Sequence, residues 1–241
     1  MNISIIIPVK NQHDIVKNCL KSIIRYQKSE VVLIDDGSTE QNTIELLKNY
    51  SNKFGWKLFR NEKSVGHTGA CQKGIDASTF ENIFLLNSDI IVTPNSLELL
   101  AKVLDENEKI AVVGPCSSSA SGPQLIPILY QKRFTMTLHE IHKMALICKN
   151  NNVIQDIELV NGFCFGIKRS VYNKVGGFDE VLTCYGNEKE LLVRIRKAGY
   201  RTVLVSGAYI HHYGKMTYSH EPIDIARACV DADRYINKKH K

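Results

Sequence analysis

Residues 83–89 read Ile-Phe-Leu-Leu-Asn-Ser-Asp, and this stretch decides the fold. Four apolar residues in succession, with aromatic and branched types among them, predict a strand that is buried on both faces. Asn87, Ser88 and Asp89 follow at once, where the chain should leave the sheet. A carboxylate at the C-terminal edge of an open α/β sheet stands where such folds bind ligands. Asn, Ser and Asp also favour turns, so the stretch by itself leaves a ligand site and a simple turn equally open.

Similar strands alternate with helical segments through the first 114 residues. Apolar runs at residues 3–9, 30–34 and 110–114 predict further buried strands, with helical spacing of apolar residues between them. This alternation predicts an α/β fold with a mostly parallel central sheet and helices on both faces. Right-handed crossovers would bring three polar strand ends to one edge of the sheet, where we expect a ligand site. These ends are Pro8-Val9-Lys10-Asn11, Asp35-Asp36-Gly37-Ser38 and Asn87-Ser88-Asp89.

The second half of the chain is less regular. The irregular segment from Ser117 to Asp156 is expected to cover the site and to contribute the surface for a second substrate. The predicted elements are a helix from Tyr130 to Cys148, a strand from Val160 to Ile167, a helix from Asn187 to Ala198, strands at Thr202–Val205 and Ala208–Ile210, and a last helix from Glu221 to Ile236.

Length and charge limit the classes of function. The chain has 241 residues, 44% of them hydrophobic, and can bury the core of one large domain. Its net charge of +6 suits an anionic ligand such as a nucleotide diphosphate. A surplus this small, spread along the chain, does not indicate a nucleic-acid surface, so we expect no nucleic-acid partner.

Cysteine use and hydropathy bear on the compartment. Seven cysteines, none in a Cys-x-x-Cys pair, predict buried thiols in a reducing compartment rather than disulfides or a zinc site. The first residues lack the basic and apolar regions of a signal peptide. No apolar run approaches the roughly 18 residues of a membrane helix. We therefore expect a cytoplasmic protein with no transmembrane segment.

Two positions after predicted strands could bind a nucleotide. Asp36 could accept a hydrogen bond from the N–H of a pyrimidine, or it could simply make a turn and cap the next helix. Gly66 opens a predicted helix at which backbone N–H groups could approach a phosphate or a sugar. Two glycines at a helix start are weak evidence by themselves, and both alternatives remain open.

Two further positions could carry metal or acid–base chemistry. A divalent cation that binds a diphosphate needs only one or two protein ligands, and Asp89 with a histidine would suit Mn²⁺. His211 and His212 are adjacent on a predicted strand, so they point to opposite faces and at most one should face the site. Glu188, in the first turn of a helix, could act as a general base or could only complement the helix dipole. Glu190, in the same turn, is expected only to complement the helix dipole.

These motifs, in this order, resemble those of the family 2 inverting glycosyltransferases with a GT-A fold. The similarity covers about residues 3–217. It rests on Ile5-Ile6-Ile7-Pro8-Val9-Lys10-Asn11, Leu33-Ile34-Asp35-Asp36-Gly37-Ser38-Thr39, Leu85-Leu86-Asn87-Ser88-Asp89, Gly176-Gly177-Phe178-Asp179-Glu180, Gly186-Asn187-Glu188-Lys189-Glu190-Leu191, and His211-His212-Tyr213-Gly214.

The resemblance implies a domain plan and a reaction. Residues 1–217 would form one GT-A domain, an α/β/α sandwich, with a nucleotide-sugar-binding half at 1–114 and an acceptor half at 115–217. Residues 218–241 would form a helical tail. The implied reaction moves a sugar from a UDP- or dTDP-sugar to a hydroxyl of a glycan, a lipid-linked glycan or a protein side chain.

The resemblance also implies roles for single residues. Pro8 and Val9 would line the base pocket, Asp36 would bind the uracil or thymine ring, and Gly66, Asn87, Ser88 and Asp89 would complete the nucleotide-sugar site. Asp89 and His212, with His211 as the alternative, would bind Mn²⁺ or Mg²⁺. Glu188 would deprotonate the acceptor hydroxyl. Asn87 replaces the first carboxylate of the usual Asp-x-Asp, and Asn187-Glu188 replaces the usual Glu-Asp.

Other functions fit the sequence less well. A catalytically silent nucleotide-sugar-binding subunit of a glycosylation complex is the main alternative, because the Glu-Asp motif is altered. A sugar-1-phosphate nucleotidyltransferase would need a Gly-rich loop with Arg and Lys after the first strand, and a dinucleotide-binding oxidoreductase would need Gly-x-Gly-x-x-Gly there. Pro8-Val9-Lys10-Asn11 provides neither. The oligomeric state stays open.

Overall fold

Nine strands and nine α-helices are present in the described residues, which are 2–26, 29–214 and 225–241 of a computed structural model. The strands are β1 (Ile3–Val9), β2 (Glu30–Asp36), β3 (Lys57–Asn61), β4 (Asn82–Leu86), β5 (Ile90–Ile91), β6 (Ile110–Ser117), β7 (Ile154–Asp156), β8 (Cys164–Lys168) and β9 (Arg201–His212). The helices are α1 (His13–Tyr26), α2 (Gln41–Phe54), α3 (Gly66–Ala77), α4 (Ser96–Glu106), α5 (Pro127–Tyr130), α6 (Leu138–Asn150), α7 (Arg169–Lys174), α8 (Asn187–Lys197) and α9 (Ile225–Lys239).

The strands form one mixed sheet in the order β3-β2-β1-β4-β8-β6-β9-β5, with β7 paired to β9. Strands β1, β2, β3 and β4 pair in parallel, as do β6 and β9. Strand β8 is antiparallel to both β4 and β6, so six of the nine strands run in one direction. Strands β5 and β7 are antiparallel to β9. The predicted α/β fold with a mostly parallel sheet is therefore confirmed.

The sheet is buried on both faces. Along β1, the side chains of Ile3, Ile5 and Ile7 join the hydrophobic cluster that includes α1, α2 and α4. Ile6 points the other way, into the cluster that includes α3, α6 and α8. Since successive strand residues face opposite sides, a continuous run of branched residues is what a strand between two helical layers requires.

Three predicted elements of the second half were wrong in their bounds. The helix predicted from Tyr130 to Cys148 is interrupted, because Thr137 and Glu140 form a capping box that starts α6. The strand predicted from Val160 begins only at Cys164. The two strands predicted around Ser206 and Gly207 form one continuous strand, β9, whose register against β6 shifts between Pro115 and Cys116.

The two predicted C-terminal helices and most of the predicted buried thiols are present in the structure. The helix predicted from Asn187 is α8, shorter by one residue. The last predicted helix is seen as α9, and its predicted first residues, 221–224, lie outside the described residues. Five of the seven cysteines are buried thiols; Cys184 is half-buried and Cys229 exposed. Among the helices of the described ranges, none has the length and apolar character needed to cross a lipid bilayer.

Candidate active site

The C-terminal ends of β1, β2 and β4 lie side by side at one edge of the sheet. Val9 at the end of β1 is in register with Asp35 near the end of β2, and β1 pairs with β4 on its other side. The predicted gathering of three polar strand ends is therefore present. Pro8 is half-exposed there, whereas the Val9 side chain is buried in the core beneath the sheet. Of these two candidates, only Pro8 presents side-chain surface.

Asp36 closes the N-terminus of α3. Its carboxylate accepts hydrogen bonds from Asn61 Nδ2 at 2.8 Å and Ser64 Oγ at 2.6 Å. It also accepts bonds from the backbone N–H groups of Val65 at 2.9 Å and Gly66 at 3.2 Å. A carboxylate at this place satisfies helix N–H groups and complements the helix dipole. The capped helix is α3 rather than the next helix along the chain, α2; a contact of Asp36 with a pyrimidine stays a prediction.

The first turn of α3 is tied to the loop before α8. Gly66 has φ +81°, and a methyl group added to it would lie 3.0 Å from the carbonyl oxygen of Thr183. Thr68 donates its N–H to the same oxygen at 3.0 Å and its hydroxyl to the carbonyl of Leu182. The N–H groups of Gly66 and Thr68 thus already have protein acceptors. A phosphate at this turn would need other donors, so the N–H of Gly66 is not the free phosphate donor that the sequence suggested.

Asn87, Ser88 and Asp89 continue from β4 toward β5. Asn87 is half-buried and donates its N–H to the carbonyl of Phe163 at 3.0 Å. Ser88 and Asp89 are buried, and the carbonyl of Asp89 accepts the N–H of Tyr213 at 3.0 Å. The stretch is therefore anchored to the residue after β9 and to the residue before β8, as a fixed loop at the strand edge.

His212 lies beside Asp89, with its Nε2 3.2 Å from Asp89 Oδ1. The other ring nitrogen, Nδ1, is 2.6 Å from the carbonyl oxygen of Ser119. A carbonyl only accepts, so Nδ1 carries a proton, and Nε2 of the neutral ring keeps its lone pair. Nε2 is buried and has no hydrogen-bond partner among the described residues. An orphaned imidazole nitrogen facing a carboxylate, with its opposite N–H held by a carbonyl, fits a divalent cation.

This pair alone is an incomplete coordination shell. In residues 2–26, 29–214 and 225–241, no group of three or more His, Cys, Asp or Glu side chains could hold a metal ion. Asp89 and His212 therefore fit only a cation that takes its remaining ligands from a bound diphosphate and water.

His211 points to the opposite face, as strand alternation predicts. It is fully buried, with Nδ1 near the hydroxyls of Ser118 and Tyr209 and Nε2 2.8 Å from the carbonyl of Arg133. Burial lowers the pKa of its imidazole to about 4. Both nitrogens are thus engaged in the protein interior. Of the two histidines, His212 is the one adjacent to Asp89, and its role as a metal ligand stays a prediction.

Glu188 lies in the first turn of α8 with its carboxylate against the backbone of Gly162. A methyl group added to Gly162 would stand 1.9 Å from Glu188 Oε1. The next residue, Phe163, stacks on the ring of His212 at a centroid distance of 4.9 Å. Glu188 is therefore connected to the Asp89–His212 pair through two consecutive residues. Burial raises the pKa of the Glu188 carboxyl to about 7, which suits a general base at neutral pH.

Glu190 has a different structural role from the one that its position in the first turn of α8 suggested. We expected it only to complement the helix dipole, but its buried carboxylate accepts hydrogen bonds from Arg194, four residues on. Lys239 and His240 lie at 2.8 and 3.0 Å from its Oε1. Glu190 is therefore a fixed anion within a cationic cluster.

Two residues of α3 that the sequence motifs did not single out, His67 and Cys71, lie among the candidates. His67 Nε2 is 3.5 Å from Cys71 Sγ. Burial lowers the pKa of His67, while the charges of Asp36 and Asp89 act to raise it. Burial raises the pKa of Cys71, and the charges of Glu188 and Asp36 add to this. Their i,i+4 spacing, which places both on one face of α3, was the available signal.

A comparison with models of protein families identifies the family of this chain. The sequence model described as glycosyl transferase family 2 matches residues 4–176. The chain belongs to glycosyl transferase family 2. The match includes Asp36, Gly66 and Asp89 but ends before Glu188 and His212. The predicted family and the predicted enzyme class, a glycosyltransferase, are both confirmed at this level.

The chain is similar to longer proteins. It is 30% identical over 117 residues to the glycosyltransferase GlyG of Streptococcus pneumoniae. The aligned region covers 46% of this chain and 38% of the relative. Across the first curated relatives it matches, the aligned part spans only 26% to 38% of their length.

Solved structures support the GT-A fold. GalNAc-T7, crystallised with UDP, GalNAc and Mn²⁺, gives a TM-score of 0.69 at 19% identity, covering 88% of this chain and 44% of that one. Staphylococcus aureus TarS 1–349 with UDP-GlcNAc gives 0.67 at 17% identity, covering 98% of this chain and 65% of that one. At such identities the likeness shows the fold alone, and the predicted GT-A architecture is confirmed.

Proposed function

We propose that this protein is a metal-dependent, inverting glycosyltransferase that moves a sugar from a UDP- or dTDP-sugar to an acceptor hydroxyl. The observation that carries the proposal is the Glu188 carboxylate, with a pKa near 7, held through Gly162 and Phe163 next to the Asp89–His212 pair. Family membership supports it. So does the likeness in fold to proteins bound to UDP with Mn²⁺ or to UDP-GlcNAc.

The donor would bind across the ends of β1, β2 and β4. Pro8 and the backbone around Val9 would face the base, Asp36 would lie near the pyrimidine ring, and Gly66 would face the sugar or phosphates. Asn87, Ser88 and Asp89 would face the ribose and the diphosphate. Since Asn87 is neutral, Asp89 alone would contribute the negative charge of this loop.

Asp89 and His212 would hold Mn²⁺ or Mg²⁺ together with the diphosphate. When bound, such an ion neutralises the negative charge that grows on the departing nucleotide diphosphate. The chain's own part is to present one carboxylate oxygen and one imidazole lone pair from fixed positions. The carbonyl of Ser119 and the ring of Phe163 hold that imidazole in place.

Glu188 would remove the proton from the acceptor hydroxyl. As the acceptor oxygen forms a bond to the anomeric carbon, the bond from that carbon to the phosphate oxygen breaks, and the proton stays on Glu188. A single displacement of this kind inverts the configuration at the anomeric carbon. General-base assistance contributes about 10² to 10⁴ in rate.

The acceptor classes that we propose are those that the family resemblance implies. A glycan, a lipid-linked glycan and a protein side chain all offer the hydroxyl, and the segment from Ser117 to Asp156 would contact it. We also propose a cytoplasmic location and a single domain at residues 1–217, divided at residue 114 and followed by residues 218–241.

Turnover of UDP-sugars tests the proposal. With Mn²⁺, the protein should release UDP slowly by hydrolysis, and EDTA should stop the release. Glu188→Gln should abolish transfer and keep UDP binding, while Glu108→Gln, in the loop after α4, should behave as wild type. Normal turnover by Glu188→Gln would refute the base. UDP binding without turnover by the wild type on any donor would favour the silent-subunit alternative, which the altered Asn187-Glu188 motif suggests.

A further inference from the structure

We propose that three residues of the C-terminal helix α9, namely Ala232, Tyr235 and Lys239, position Glu188 by fixing the start of α8, so that α9 is not a detached tail. The inference rests on the proposed role of Glu188 as base. It concerns a part of the chain beyond residue 176, where the family match ends. Three sets of contacts carry it: ion pairs, a close backbone approach, and a link to the donor side.

Lys239 joins two carboxylates that belong to different segments. Its Nζ lies 2.8 Å from Glu190 Oε1 in α8 and 2.7 Å from Asp179 Oδ2 in the preceding loop. Tyr235, one turn earlier on α9, donates its hydroxyl to the same oxygen of Asp179 at 2.7 Å. Although burial opposes it, these hydrogen bonds lower the pKa of Asp179 to about 2. Both carboxylates are therefore ionised partners of α9 at neutral pH.

The backbone of α8 begins directly against α9. Gly186 is the residue before α8, with φ +81°, and a methyl group added to it would lie 2.7 Å from Ala232 Cβ. Only glycine allows both this conformation and this approach. Ala232 and Ile236 also bury Leu182 in a small hydrophobic cluster of their own. The helix thus holds both ends of the loop that runs from Leu182 to Gly186.

That loop also contacts the donor side of the site. The carbonyls of Leu182 and Thr183 accept the hydroxyl and the N–H of Thr68 in the first turn of α3. Helix α9 therefore fastens a loop that is bonded to α3 at one end and starts α8 at the other. Glu188 follows two residues after Gly186.

The position of Glu188 depends on this backbone. Within residues 2–26, 29–214 and 225–241 its carboxylate forms no ion pair, and its hydrogen bond runs to its own backbone N–H. A misplacement of about 1 Å at a reacting group can cost about 10² in rate. A shift of the first turn of α8 would be transmitted to the base directly, because no described residue holds the carboxylate by an ion pair.

The test compares two neighbouring lysines of α9. Lys239→Met removes the bridge, whereas Lys238→Met makes the same change of charge at an exposed residue with no ion pair among the described residues. We expect Lys239→Met to lower kcat at least tenfold with the donor KM within twofold, and Lys238→Met to match wild type. Lys239→Arg should restore most of the activity. Equal kcat for Lys239→Met and wild type would overturn the proposal, as would a parallel loss of UDP binding.

A milder variant and a second readout guard against misfolding and against an error in the assignment of the base. Tyr235→Phe removes only the hydroxyl bond to Asp179 and should give an intermediate loss of kcat. Amide hydrogen exchange across residues 184–192 should speed up in Lys239→Met and stay unchanged in Lys238→Met. Unchanged exchange in both would overturn the coupling of α9 to α8. If Glu188→Gln keeps full turnover, the assignment of Glu188 as base fails, and the exchange experiment still decides whether α9 orders this turn.

Discussion

The Glu188 carboxylate lies directly over the Cα of Gly162, so that an added methyl group would stand 1.9 Å from Glu188 Oε1. Real Cβ contacts are not that short, and any side chain at residue 162 must displace the carboxylate. Gly162 does not have the left-handed φ that would itself exclude alanine. Substitution of Gly162 therefore tests whether the carboxylate of Glu188 must occupy this place for transfer.

Gly162→Ala should therefore lower transfer by about 10² while UDP affinity stays within twofold, because the base moves and the nucleotide contacts do not. Steady-state kinetics and calorimetry with UDP measure the two effects. Gly55→Ala is the control: an added methyl group there meets nothing within 4 Å, and the left-handed φ of +67° costs alanine about 1–2 kcal/mol of stability. Equal activity of Gly162→Ala and wild type would show that Glu188 reacts from another place.

The pH profile of transfer should carry an acid limb near pH 7. Burial raises the pKa of Glu188 to about 7, and only the carboxylate form can accept the acceptor's proton. The rate should fall about tenfold per unit below this pH and level off above it. A profile of kcat/KM between pH 5 and 9 measures this. A limb near 4.5 would mean that the carboxyl is solvated during the reaction.

The same group should make the fold less stable at alkaline pH. Its folded pKa lies above the unfolded value of 4.5, so folding favours the protonated form. The contribution is fully present below pH 4.5 and is lost as pH rises through about 7. Glu188→Gln should therefore melt at the same temperature as wild type at pH 4.5 and higher at pH 8. Identical melting curves at both pH values would contradict the burial of this carboxyl.

Asp36→Ala should lower the free energy of unfolding by about 1–2 kcal/mol, because the first turn of α3 loses the acceptor of its N–H groups. UDP affinity should fall as well if the carboxylate faces the pyrimidine. Urea unfolding and calorimetry separate the two effects. Asp14→Ala is the matched control, since that side chain is 94% exposed and, in the part of the chain that the structure describes, bonds only to its neighbour His13. Unchanged stability of Asp36→Ala would remove its capping role.

Asp89→Asn should weaken Mn²⁺-promoted binding of UDP at least tenfold, or about 1.4 kcal/mol. The amide keeps the shape of the side chain and removes the charge that the neutral Asn87 cannot replace. Calorimetry with and without Mn²⁺ isolates the metal-dependent part. Asp76→Asn, on the exposed face of α3, should leave it unchanged. If Asp89→Asn binds UDP with Mn²⁺ as wild type does, the metal lies elsewhere.

Periodicity was enough to predict the sheet and the edge where the candidates gather. Uninterrupted branched runs such as Ile5-Ile6-Ile7 require a strand between two layers, and crossovers then place strand ends together. Alternation along a strand also separated His211 from His212. It could not say which one faces Asp89, because that depends on the register of β9 against β5, in which His212 pairs with Ile90.

Roles that depend on distant partners could not be predicted. Asp36 looked like a cap for the helix after it, yet its donors Val65 and Gly66 come about thirty residues later. Glu190 looked like a dipole partner because its true partners, Lys239 and His240, are about fifty residues away. Local patterns report the secondary structure of a segment, and such contacts are set by tertiary packing.

The hydrogen bonds from Thr68 to Leu182 and Thr183 place one turn of α3 between the donor edge and the start of α8. The start of α8 is therefore held from two sides, by α9 through Gly186 and by α3 through Thr68. One threonine thus joins the two halves of the site, and the base side stays attached to the donor half of the domain as well as to the C-terminal helix.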